Sequence, residues 1–148
     1  MAKASIFVSS VLDASVDDVW AKIRDFNALP EWHPAIVDSQ IEGGEPSDKV
    51  GCIRNSNLID DGGNIREQLL TLSDATHTCT YSILESPMPL DNYAATLSLT
   101  PITDGNRTYI QWTAEFTCAA EEEDGLVDFV GNGVFQGGFD SLKGILEG

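Results

Sequence analysis

His33 and Glu67 form the one pair in this chain suited to acid–base work. An imidazole titrates near neutrality, and with a carboxylate partner in apolar surroundings it could take an acidic proton. The same residues also fit a structural use, in which Glu67 pairs with Arg54 or Arg66 and His33 caps a helix–strand junction. Ion-pair networks bury and perturb such groups as readily as catalytic sites do. Tyr81 and Tyr93 carry hydroxyls that could hydrogen-bond a ligand carbonyl in an apolar pocket, or sit at the edge of ordinary packing. Trp32 and Trp112 read as core more than site, and Trp20 as the anchor of the first helix. His77 falls at a hairpin turn, where exposure is expected.

Other chemistries are missing. Cys52, Cys79 and Cys118 are far apart, odd in number and without metal-ligand spacing. None sits next to a basic residue that would lower its pKa, so they read as buried free thiols of a reducing cytoplasm. The sequence holds no glycine-rich phosphate loop, metal-ligand cluster or G-x-S-x-G elbow. Neither a cofactor nor a metal is expected.

The elements that must position these residues show in the periodicity. From the acidic run Glu121, Glu122, Glu123 and Asp124 onward, Leu126, Phe129, Val130, Val134, Phe135, Phe139, Leu142, Ile145 and Leu146 recur at helical spacing. The acids suit the positive end of the helix dipole, and Lys143 suits the other. Gly131, Gly133, Gly137 and Gly138 each cost such a helix roughly 1 kcal/mol relative to alanine. It is therefore expected to depend on packing against something large, with room left beside its glycines.

Upstream the period is mostly two. Residues 4–11, 36–42, 50–58, 64–72, 76–84, 93–100 and 107–118 read as strands, separated by Gly-, Pro- and Asp-rich turns. Ser15 caps a helix of about eleven residues carrying Val16, Val19, Trp20, Ile23 and Phe26. Pro30 opens a second short turn, Leu29 to Trp32, which Pro34 ends. Short links between strands mean antiparallel hairpins. The expected fold is α+β: a seven-stranded curved antiparallel sheet around a long C-terminal helix, with two short helices between strands 1 and 2.

Size and charge narrow the partners. The 148 residues fit a single domain spanning 1–148, large enough for a core with a hole in it. A net charge of −16 repels phosphate backbones and anionic headgroups, which argues against nucleic acid and membrane surfaces. The N-terminal residues run straight into a strand with no apolar leader, and a cytoplasmic protein is expected.

Five pieces of the chain together resemble the helix-grip superfamily of START-like and pollen-allergen-like ligand binders, often labelled SRPBCC. They are Val19-Trp20 through Leu29-Pro30-Glu31-Trp32-His33-Pro34, Val50-Gly51-Cys52-Ile53-Arg54, Ile65-Arg66-Glu67-Gln68-Leu69, the run from Tyr81 to Tyr93, and Gly137-Gly138-Phe139 with Leu142-Lys143. The likeness is nearest to the bacterial polyketide cyclase/dehydrase-like group and more distant to the plant abscisic acid receptors. Those receptors carry a longer gating loop after the third strand. Here the turn Asp60-Asp61-Gly62-Gly63 is short, and the hormone-gated function is not carried over.

The resemblance implies a cavity between sheet and helix. His33 would point into it from the second short helix. Arg54, Ser56 and Leu58 would line it from the third strand and Glu67 from the fourth. Tyr81 and Ile83 would come from the fifth strand, Tyr93 and Ala95 from the sixth, and Trp112 from the last. Val130, Val134 and Gly138 would present the helix face, and Met88, Pro89 and Leu90 would form a loop over the opening.

The function this implies is binding of one hydrophobic or amphipathic small molecule by a monomer or homodimer. The alternatives are a cyclase or dehydratase using His33 and Glu67 on a polyketide-like substrate, as aromatisation or aldol cyclisation would need, and an interaction module whose cavity is incidental. Whether His33 and Glu67 meet decides between the first two.

Overall fold

Alternation of inward apolar and outward polar residues produces the strands, and its breaks set their ends. The computed structural model describes residues 1–147. In it β1 (Ala2–Leu12), β2 (Ile36–Ile41), β3 (Ile53–Leu58), β4 (Asn64–Ser73), β5 (Thr78–Glu85), β6 (Leu90–Ile102) and β7 (Arg107–Cys118) form one sheet in the order β1-β7-β6-β5-β4-β3-β2. Every neighbouring pair is antiparallel. The seven strands stand where the alternation puts them. β3 begins late because Gly51 takes a left-handed φ of 97°, which interrupts the extended chain.

The ladders are uneven. β1 runs unbroken along β7 from Ala2 opposite Cys118 to Leu12 opposite Thr108. By contrast β3 pairs with β4 only from Ile53 to Asn57, and β5 with β6 only from Thr78 to Ser82. Register shifts on the β4–β5 ladder leave Leu70 and Leu84 without a partner. Such bulges bend a strand and increase its twist, which curves the sheet.

α1 (Val16–Ile23) is shorter than its apolar spacing predicts. Ser15 accepts from the Asp18 N–H as expected. The chain then leaves the helix because the Asp25 carboxylate accepts the Asn27 N–H at 2.9 Å, a local turn that competes with helix continuation. Phe26 stays buried on that turn. Trp20 Nε1 and Arg24 both donate to Asp74, tying α1 to the β4–β5 turn. His77 is half-buried rather than exposed, its ring edge-on to Trp20 at 5.5 Å.

α2 (Leu29–Trp32) is followed by β2. The C-terminal helix begins with a 3₁₀ turn at Ala120–Glu122, continues as α3 (Glu123–Asp128), widens into a π segment at Phe129–Phe135 and resumes as α4 (Gln136–Leu146). The Gln136 N–H reaches back five residues to the Gly131 carbonyl. Gly131 faces β1, and a Cβ there would stand in ordinary contact with Ile6 Cγ2 at 3.4 Å. Val130, Phe135, Phe139 and Leu142 pack on Ile110, Trp112 and Phe116 to form the core, with Trp112 stacked on Phe135 at 4.3 Å. No described helix is long and apolar enough to cross a membrane.

Candidate functional site

Between the helix and the β3–β6 half of the sheet lies a cavity of about 490 Å³. That falls within the roughly 300–1,000 Å³ usual for small-molecule sites. Its buried walls come from Leu29, His33, Arg54, Ile65, Glu67, Tyr81, Tyr93, Trp112 and Val130. The lining residues that reach solvent mark the rim: Ile59 and Gly62 on the β3–β4 turn, Pro87 and Pro89 on the β5–β6 loop, and Phe129, 55% exposed, on the helix. Turn and loop lie close together, so that a Cβ at Gly63 would stand only 3.3 Å from Pro87.

His33 ends α2, where its own N–H bonds to the Leu29 carbonyl and Pro34 prevents continuation. Both ring nitrogens are used. The Ala35 N–H donates to Nδ1 at 3.1 Å, which leaves the proton on Nε2 to be donated to the Val134 carbonyl at 2.8 Å. A π segment takes its carbonyls out of the ordinary i+4 pattern, and the imidazole binds one of them from outside. Burial lowers the His33 pKa below 6.5, and the positive Arg54 adds to the effect.

Glu67 does not meet His33. It is held by Arg54, whose Nε and Nη2 donate to the same oxygen, Oε1, at 3.0 and 2.7 Å. The two side chains are each 7% exposed. Arg54 Nη1 donates to the Phe26 carbonyl, and the guanidinium lies 3.9 Å above the Phe26 ring. Strand alternation separates the two arginines: Arg66 points out of the sheet and pairs with Glu42 and Glu85 instead.

Tyr81 and Tyr93 stand beside this pair. Trp112 Nε1 donates to the Tyr81 hydroxyl at 3.1 Å. A register shift after Asp91 places Asn92 in the left-handed region and turns Tyr93 inward, where it stacks on Phe116 at 6.0 Å. Burial raises the pKa of both phenols, with the Glu67 charge adding to the effect at Tyr93. Both remain O–H donors at neutral pH.

Of the positions expected to line a cavity, His33, Arg54, Leu58, Glu67, Tyr81, Ile83, Met88, Tyr93, Trp112, Val130 and Val134 do so. Four do not. Ser56 is fully buried in β3, with its Oγ sealed from solvent and unpartnered. Ala95 is buried opposite Tyr81 and Ala114, too short to reach past the larger rings around it. Leu90 is half-buried where β6 begins, paired with Cys118. Gly138 leaves no space beside it, since a Cβ there would lie 3.1 Å from the His33, Trp112 and Trp32 rings. Leu29, Ala35, Ile36, Ile59, Gly62, Ile65, Pro87 and Phe129 line the cavity without having been singled out. Phe129 carried a signal, as an aromatic at one edge of the helical stripe.

Residues 3–147 match the profile of the family described as polyketide cyclase / dehydrase and lipid transport. Among solved structures the chain is similar to the protein XoxI from Bacillus cereus, at 26% identity and a TM-score of 0.86 over 97% of this chain and 96% of that one. A protein from Bacillus thuringiensis is 28% identical with a TM-score of 0.86, covering 98% of this chain and all of its own (100%). One from Thermobifida fusca is 27% identical with a TM-score of 0.85, covering 97% and 95%. No curated protein matches.

Proposed function

The chain belongs to the polyketide cyclase/dehydrase and lipid transport family, and we propose that it holds one hydrophobic or amphipathic small molecule in the cavity between sheet and helix. The observation that carries this reading is an open, mainly apolar space of about 490 Å³ with a few polar groups gathered at one wall. Burying a ligand's apolar surface there contributes roughly 25 cal/mol per Å², and the polar wall fixes its orientation. A cavity merely incidental to an interaction module would more naturally be filled by side chains.

A cyclase or dehydratase relying on His33 and Glu67 draws less support. Its base would need a free imidazole nitrogen, and both are engaged by the backbone at Ala35 and Val134. Native mass spectrometry of protein purified from its own host, followed by extraction, tests the binding reading. One discrete small molecule per chain is the expected result. A chain that arrives empty and takes up no apolar probe overturns it.

A further inference from the structure

The polar wall of the cavity combines two opposite charges with one unused carboxylate oxygen and one phenol proton. Both Arg54 donors directed at Glu67 converge on Oε1, so Oε2 has no hydrogen bond among the described residues. The Tyr93 oxygen accepts from the Tyr81 hydroxyl, which leaves the Tyr93 proton to be donated. Glu67 and Tyr93 are each 5% exposed. Yet Ser56 Oγ is the one sealed, unpartnered side-chain polar atom among the described residues, so the unpartnered Glu67 Oε2 is not sealed. Since Glu67 lines the cavity, that oxygen is reached from inside it, and Tyr93 stands in the same lining.

We propose that the ligand is a neutral, hydroxylated amphiphile, its hydroxyl donating to Glu67 Oε2 and accepting from Tyr93, and that the site selects against the corresponding carboxylate. This deepens the ligand-binding reading and rests on it. The ion pair leaves this wall with no net charge to offset an incoming anion. A ligand carboxylate would face the unpartnered Glu67 oxygen inside a low-dielectric space, where an uncompensated buried charge is costly. A hydroxyl has the donor that Oε2 lacks and the acceptor that a phenol at neutral pH requires. The net charge of −16 opposes an anion again on approach.

Retinol and retinoate share one apolar skeleton and differ in the head group, and Trp112 in the cavity wall provides a quenching signal. Titrating each into the full chain should give retinol the tighter binding by about tenfold or more. Glu67→Gln keeps an acceptor for Arg54 and removes the negative charge, so retinoate should gain about tenfold. Tyr93→Phe should weaken retinol. Equal or tighter binding of retinoate by the unaltered chain overturns the proposal and leaves the ligand-binding reading standing. Failure of both probes to bind overturns the two together. The wild-type comparison decides the matter even if a variant does not fold.

Discussion

The Nε2 proton of His33 is donated to the carbonyl of Val134 across 2.8 Å, which joins the end of α2 to the π segment of the C-terminal helix. This bond holds the cavity's two walls together and fixes a neutral imidazole.

Acid should therefore loosen the fold in a window set by His33. Its folded pKa lies below 6.5, so from about 6.5 downward the unfolded chain binds a proton that the folded chain refuses. Stability is full above that value and falls as pH drops towards the lowered folded pKa. Urea midpoints measured at about pH 7.5 and about pH 5.5 should separate more for the natural chain than for His33→Gln. Equal separations would remove His33 as the cause.

Two adjacent glycines should respond with opposite sign. Gly138→Leu drives a side chain into three rings already 3.1 Å from its first carbon, and should cost about 1–3 kcal/mol or prevent folding. Gly137→Ala meets nothing within 4 Å and should stabilise by about 0.5–1 kcal/mol. Thermal midpoints check both. A folded Gly138→Leu protein that merely lost ligand would mean space exists where the helix is found flush.

Breaking the buried pair should hurt more than removing it. Arg54→Met leaves Glu67 charged and uncompensated, at a cost of about 3–5 kcal/mol. Arg54→Met with Glu67→Met together should recover most of that loss. Denaturant unfolding of both proteins provides the comparison, and a double variant as weak as the single one would contradict it.

The three thiols should be inert in the folded chain. All are buried, and burial raises Cys79 to about 11. Labelling by a disulfide reagent at neutral pH should be slow, and should speed up with denaturant as the chain opens. Rapid labelling in native buffer would mean the β3, β5 or β7 packing around them opens locally.

The sheet and both short helices were legible because their signals are local: alternation, caps, and prolines at helix ends. Arg54 as the partner of Glu67 was half legible, since Arg66 is adjacent in sequence and only the facing of successive strand residues excludes it. The π segment was not legible, because its glycines read as weak helix and nothing local specifies five-residue hydrogen bonding. Nor was the engagement of His33, whose partner lies in an element 101 residues away. Helix periodicity at Gly138 indicated a face but not a distance, and three converging rings close the gap that the glycine might have left.

The uneven ladders divide the molecule into a stiff half and a pliable one. The unbroken β1–β7 register anchors the C-terminal helix, whereas the short β3–β4 and β5–β6 pairings carry the rim turn and loop. Backbone amides of β7 should thus exchange with solvent only on global unfolding, and those near Ile59 and Met88 through smaller openings. Residence time of a bound molecule is then set by how often the pliable half breathes rather than by the strength of its contacts alone, which makes loop length at 59–63 and 86–90 a kinetic dial separable from affinity.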